Sequence, residues 1–194
     1  MAKADYRSAI RARKLINSAL ADLLLEKPLD KITVSDVVRK AELNRGTFYA
    51  HYADIPDVLN NLIQQTFSTI RDAIDEQPIV PEVLPALLLR RVQMILEEDL
   101  DFYRKIMSSN VSVLLREQLV NTVLDYLMQN DKRFGIDRTK YAMAMRFCAG
   151  GLSSLYCDWF LGKVPCTLDE LTEYGENMLI GIIVDMENES KAGE

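Results

Sequence analysis

The sequence predicts an all-α chain: an N-terminal helix-turn-helix head on a C-terminal helical-bundle body, about nine helices in total. Three observations carry this. Apolar residues recur at i, i+3, i+4 and i+7 through most of the chain, and no alternating strand pattern occurs. Strong helix formers dominate, especially Leu, Ala, Met, Glu and Arg, while eight glycines and six prolines leave few interruptions. Near residue 40, two short helical patterns are separated by a three-residue joint, the spacing of a helix-turn-helix.

The first element spans 6–25, where Ile10, Leu15, Ala19, Leu20, Leu23 and Leu24 fall near one stripe and Arg7, Arg11 and Lys14 lie opposite. Lys27-Pro28 stops it. Thr33 then caps a two-turn helix, and Asp36 answers it in a shortened capping box. Val34, Val37, Val38 and Ala41 face a core. After Ala41-Glu42-Leu43, Asn44 caps a second short helix in which Phe48 and Tyr52 pair at i, i+4. Asp54 caps the next helix, running to about Glu76 with Val58, Leu59, Leu62, Ile63, Phe67 and Ile70 as its stripe.

The punctuation QPIVPEVLP at 77–85 is the strongest candidate boundary within the chain. Further helices are expected at about 82–98, 99–108, 111–130, 138–162 and 168–187, with breaks at 108–110, Gly135 and 162–165 and a frayed end over the last five residues. Two domains are assigned, 1–55 for the head and 56–194 for the body.

Composition bounds the function. With 48% hydrophobic residues a buried core is expected and disorder is not. Apolar runs such as LPALLL at 84–89 are far shorter than the ~20 residues of a membrane span, and MAKADYRSAI lacks the apolar centre of a signal peptide. A cytoplasmic protein with no membrane partner is expected. Cys148, Cys157 and Cys166 lack CxxC spacing and read as reduced structural thiols. Neither a metal site, a cofactor site nor a catalytic constellation is seen, so no enzyme is expected.

Net charge is −6, which by itself argues against a nucleic-acid partner. Its distribution reverses that. Residues 1–52 hold ten Lys/Arg against six Asp/Glu, a net +4 that leaves −10 on the remainder. A basic head on an acidic body suits a protein that places one end on a polyanion.

The run Thr33-x-x-Asp36-x-x-x-x-Ala41-x-x-Asn44-Arg45-Gly46-Thr47-Phe48-Tyr49-x-His51-Tyr52 resembles the head of the TetR family of bacterial transcriptional regulators. The detailed likeness covers about the first 65 residues; the rest matches as an all-helical body of suitable length. The resemblance implies that residues 44–52 form a recognition helix and that the candidate DNA contacts are Thr33, Ser35, Asn44, Arg45, Gly46, Thr47, Tyr49, Ala50 and His51. Physical chemistry gives parallel reasons. Phe48, Tyr52 and Leu43 suit a packed face, leaving the polar set outward. Arg45 can bond guanine bidentately, and Gly46 permits close backbone approach. The hydroxyls of Thr33, Thr47 and Tyr49 and the His51 ring suit phosphate oxygens.

Two positions depart from the common family pattern. Glu42 stands where the turn often has Gly, at a cost of roughly 1 kcal/mol if the backbone is left-handed. Ile55 stands where many members have Lys, which removes a phosphate contact, and Asp54 and Asp57 add repulsion beside it.

For the body, the resemblance implies a homodimer through the last two long helices, with Ala142, Ala149, Ser153, Leu171, Met178 and Ile182 as candidate interface residues. It also implies a small-molecule effector pocket, for which Phe67, Met94, Phe102, Tyr103, Met107, Tyr126, Met145 and Trp159 are the adaptable or aromatic candidates. The expected function is a repressor on a pseudo-palindromic operator of double-stranded DNA, released by an effector. The alternative is a coregulator with weak DNA binding that acts mainly through a protein partner.

Overall fold

Caps and breaks set the helix boundaries in the computed structural model, which describes residues 2–75, 84–129 and 137–192. Nine α-helices and one 3-10 turn, Leu29–Lys31, occur among the described residues, and no strand. The helices are α1 Ala2–Glu26, α2 Val34–Lys40, α3 Arg45–Tyr49, α4 Ile55–Asp75, α5 Leu84–Glu98, α6 Leu100–Ser108, α7 Ser112–Gln129, α8 Arg138–Phe160 and α9 Leu168–Ala192. The all-α expectation holds, with each helix close to its expected place. The end of α9 lies beyond the expected 187, at Ala192, and the last two of the five residues expected to fray lie outside the described residues. The Gly135 break and most of the 77–85 boundary lie outside the described residues.

The chain forms two compact units, one of residues 1–64 with 100–115 and the other of 65–99 with 116–194. In the first, α1 carries α2, α3 and α6. Its buried stripe is Ala12, Ile16, Ala19, Leu20, Leu23 and Leu24, with Ala21 alongside. Ile10 and Leu15, expected in that stripe, are exposed instead. Adjacent helical residues point about 100° apart, so Leu15 does not share the face of Ile16. Ile32, Val37, Val38 and Ala41 in and before α2, Phe48 and Tyr52 around α3, Ile55, Val58, Leu59 and Ile63 of α4, and Ile106, Val111 and Leu115 supply the rest of the core.

Ion pairs fasten the edges of this unit. Lys105 on α6 lies 2.9 Å from Asp22 of α1 and 2.7 Å from Asp101. These two carboxylates, Asp101 foremost, hold its ammonium above the ordinary lysine range. Lys40 of α2 reaches Glu26 at 2.7 Å.

In the second unit, α9 packs against α5 and α8. At Gly175 an added Cβ would meet Leu152 at 2.9 Å and Leu89 at 3.0 Å, so the absence of a side chain lets both neighbours close in. The buried Tyr156 and Thr172 hydroxyls lie 3.1 Å apart. Because Thr172 donates to the Leu168 carbonyl at 2.8 Å, Tyr156 is the donor in that pair. Arg90 spans Asp169 at 2.6 Å and Glu176 at 2.7 Å. The three cysteines are free, and Cys166 lies before α9, where its carbonyl accepts the Trp159 indole N–H at 2.8 Å.

The turn after α2 is a Schellman motif. The Leu43 N–H reaches the Val38 carbonyl at 2.9 Å and the Glu42 N–H that of Arg39 at 3.4 Å. Glu42 has φ 55, so the cost that depended on a left-handed backbone at this turn applies. The end of α8 repeats the motif with Gly162 at φ 73. Glu42→Gly should therefore remove a left-handed penalty of roughly 1 kcal/mol and raise the melting temperature by about 2 to 4 °C. Differential scanning calorimetry checks this, with an unchanged or lowered midpoint as the contrary result.

Candidate nucleic-acid interface

Asp36 fixes the orientation of α2. Its carboxylate accepts from the Thr33 backbone N–H at 3.0 Å and the Thr33 hydroxyl at 2.8 Å, while the Asp36 N–H donates back to the Thr33 oxygen at 3.2 Å. The expected short capping box is therefore complete. The same carboxylate bonds Lys27 at 2.7 Å and Arg39 at 3.0 Å, so the cap also ties α2 to the end of α1. Lys27 and then Thr33 hold the Asp36 carboxyl far below the usual range.

Asn44 starts α3 in the same way, accepting the Thr47 N–H at 2.8 Å and the Thr47 hydroxyl at 3.2 Å. A Cβ at Gly46 would sit 3.1 Å from that Asn44 oxygen, so glycine keeps the cap uncrowded. Phe48 is fully buried and Tyr52 nearly so, while Tyr49 is 56% exposed and meets Phe48 edge-on at 5.6 Å. The Tyr52 hydroxyl donates to Asn17 of α1 at 3.4 Å, and burial raises its pKa. This face-by-face division matches the sequence expectation. His51 is half-buried beside Tyr52, with ring centroids 6.4 Å apart.

Of the candidate contact residues, Thr33, Asn44, Arg45, Gly46, Tyr49 and Ala50 are exposed, and Ser35, Thr47 and His51 are half-buried. Arg45 and Ser35 meet, the guanidinium Nη2 donating to Ser35 Oγ at 2.5 Å. Spacing gave no sign of this link, because it joins two helices.

The start of α4 has the Asp54 cap expected from the sequence, and a reciprocal bond to Asp57 that was not expected. Asp54 accepts the Asp57 N–H at 2.8 Å, and Asp57 accepts the Ala53 N–H at 2.8 Å. Two carboxylates thus occupy this helix N-terminus, and Ile55 between them is only 5% exposed. Its side chain belongs to the core, so it offers nothing to a phosphate.

No protein-family model matches the chain. It is 39% identical over 67 residues to the HTH-type transcriptional regulator YxbF of Bacillus subtilis, which covers 34% of this chain and 18% of that protein. It is 32% identical over 103 residues to the HTH-type dhaKLM operon transcriptional activator DhaS of Lactococcus lactis, covering 53% of this chain and 52% of DhaS. The chain therefore spans about half or less of the length of these curated relatives. Among solved structures, a TetR-family transcriptional regulator from Syntrophomonas wolfei superposes with a TM-score of 0.64 at 18% identity, over 89% of this chain and 95% of that one. The fatty acid degradation regulator FadR from Bacillus halodurans gives 0.64 at 16% identity, over 88% and 95%.

The chain has the TetR-family fold. Within that fold, the candidate pocket residues divide between the units: Phe102, Tyr103 and Met107 in the first, and Phe67, Met94, Met145 and Trp159 in the second. Met145 is buried, Met94 exposed and the others half-buried. The Tyr126 side chain lies outside the described residues. Of the candidate TetR-type dimer residues, Met178 is exposed, Ala142, Ala149, Ser153 and Ile182 are half-buried, and Leu171 is buried within its own unit. Sequence reasoning passed over Phe147, 76% exposed, with Met143 one turn before it on α8 and Tyr174 exposed on α9. Their spacing of four, here and from Tyr174 to Met178, was the available signal.

Asp36 supplies a pH test. Its folded pKa lies below the ordinary value of 3.8, so the stability it confers is complete above about pH 4 and lost as acid protonates it. Asp36→Asn should lower the melting temperature by a few degrees at pH 7. In circular dichroism melts, the gap to wild type should stay level down to about pH 5 and narrow below pH 4. A gap constant to pH 3 contradicts this role.

Proposed function

We propose that the chain is a TetR-type transcriptional regulator that binds a pseudo-palindromic operator as a cytoplasmic homodimer. In this reading it is a repressor released by a small-molecule effector, residues 1–55 carry DNA recognition, and 56–194 carry dimerisation and ligand binding. The observation that carries the reading is the capped turn that buries Phe48 and Tyr52 while presenting Ser35, Arg45, Tyr49 and Ala50 outward. A five-residue helix with one face in the core has little surface to offer except to a groove.

The dimer reading draws on α8 and α9. Met143 and Phe147 share an outward face of α8 with Gly150, Gly151 and Ser154, bordered by the exposed Arg146, and its small residues permit close helix approach. A two-fold partner would bury that face and set two α3 helices about 34 to 36 Å apart, one turn of DNA. An effector would act by favouring a state with different head spacing, limited by its differential affinity for the two states.

One observation favours the alternative coregulator. The paired Asp54 and Asp57 carboxylates at the start of α4 repel phosphate where many family members place a lysine. If no sequence emerges from a random duplex pool even at low salt, the partner-dependent reading replaces the operator-binding one.

Two measurements test the main reading. Arg45→Ala should lower affinity for a selected duplex by about 1 to 3 kcal/mol in a gel shift, with loss of preference at one base pair per half-site. Equal affinity and unchanged preference would falsify base reading by α3. Phe147→Glu should shift the protein from dimer to monomer in sedimentation at micromolar concentration, because an unpaired carboxylate buried in an interface costs several kcal/mol. Retention of the dimer excludes this face.

A further inference from the structure

We propose that Ser35 is the positioning residue for Arg45, aiming its guanidinium at one base pair without neutralising it. The proposal rests on the DNA-reading assignment of α3. Three basic side chains lie on α2 and α3, and carboxylates hold two of them: Arg39 is 3.0 Å from Asp36, and Lys40 is 2.7 Å from Glu26. Arg45 alone is held by a neutral acceptor, Ser35 Oγ at 2.5 Å, and among the described residues no carboxylate lies within ion-pair distance of it. Its full charge is retained for a nucleic-acid partner.

The anchor is itself well placed. Ser35 is the second residue of α2, directly after the Val34 that follows the Thr33 cap, so its backbone is fixed by the Thr33–Asp36 box. Arg45 is the first residue of α3, fixed by the Asn44 cap. The hydrogen bond thus joins two capped helix starts across the turn.

Guanidinium has two faces that each offer a pair of parallel N–H groups, and they meet at Nη2. The bond to Ser35 occupies one Nη2 hydrogen and so engages one face. The other face remains whole, with the two donors that guanine O6 and N7 require. A flexible arginine free in solvent would lose more side-chain freedom on binding, and the serine link removes part of that loss beforehand. The serine hydroxyl still has its own hydrogen to donate to a neighbouring acceptor on the DNA.

The test uses full-length wild type and the Ser35→Ala, Ser35→Thr, Arg45→Ala and doubly substituted Ser35→Ala/Arg45→Ala proteins. The probe is a duplex selected by wild type from a random pool, with every single base-pair change. Ser35→Ala should cut discrimination at the Arg45-dependent base pair by roughly three- to tenfold. Its effect on binding to an unrelated duplex should be smaller than its effect at the Arg45-dependent base pair. Ser35→Thr, which keeps the hydroxyl, should retain discrimination, and Ser35→Ala should add nothing at that position once Arg45 is alanine. Equal weakening on all duplexes overturns the proposal and makes Ser35 a phosphate contact. Undiminished discrimination in Ser35→Ala also overturns it. If Arg45→Ala leaves every preference intact, base reading by α3 fails and the proposal with it, an outcome distinct from failure of Ser35 alone.

Discussion

The Asp36 carboxylate is the constraint on which the head depends. It closes the first turn of α2, receives Lys27 from the end of α1 and holds Arg39. A seven-residue helix is too short to be stable by its own hydrogen bonds, so its direction must come from such anchors and from Val37 and Val38 beneath it. Because α2 is fixed, the Schellman turn can project α3 at a defined angle. Ser35 and Arg45 then meet, and Tyr49 faces out.

Each short helix begins with a polar side chain that faces the chain's own backbone. Thr33 and Asn44 therefore serve the fold before they serve any partner, since their side-chain oxygens already hold α2 and α3 in place. The same economy at α4 has an opposite electrostatic result. Asp54 and Asp57 satisfy the helix start but leave negative charge at the N-terminus of α4.

The caps at Thr33 and Asn44 and the inward pair Phe48 and Tyr52 were legible in the sequence because each depends on residues within four positions. Exposure of Ile10 and Leu15 was not, because a stripe of mixed apolar residues leaves the helix rotation open by about one residue. The Ser35–Arg45 and Lys105–Asp22 links were hidden for another reason. They join side chains whose proximity exists only after helices pack, and neither residue type is unusual at its own position. Phe147 was legible in principle, but a large apolar residue in a long helix reads as core until its neighbours are placed.

The salt bridge from Lys105 to Asp22 couples residues more than eighty positions apart, and with Ile106 it places α6 in the same compact unit as the helix-turn-helix. The unit is discontinuous in sequence. Exchange of heads between related regulators is usually imagined as a single cut in the chain. Here such a cut would transplant α1 without the helix that covers one of its sides, leaving Asp22 with only its longer 3.9 Å pair to Lys40 and apolar surface in water. A workable chimera would carry residues 100–115 along with the head, or match the recipient's α6 to the donor's α1.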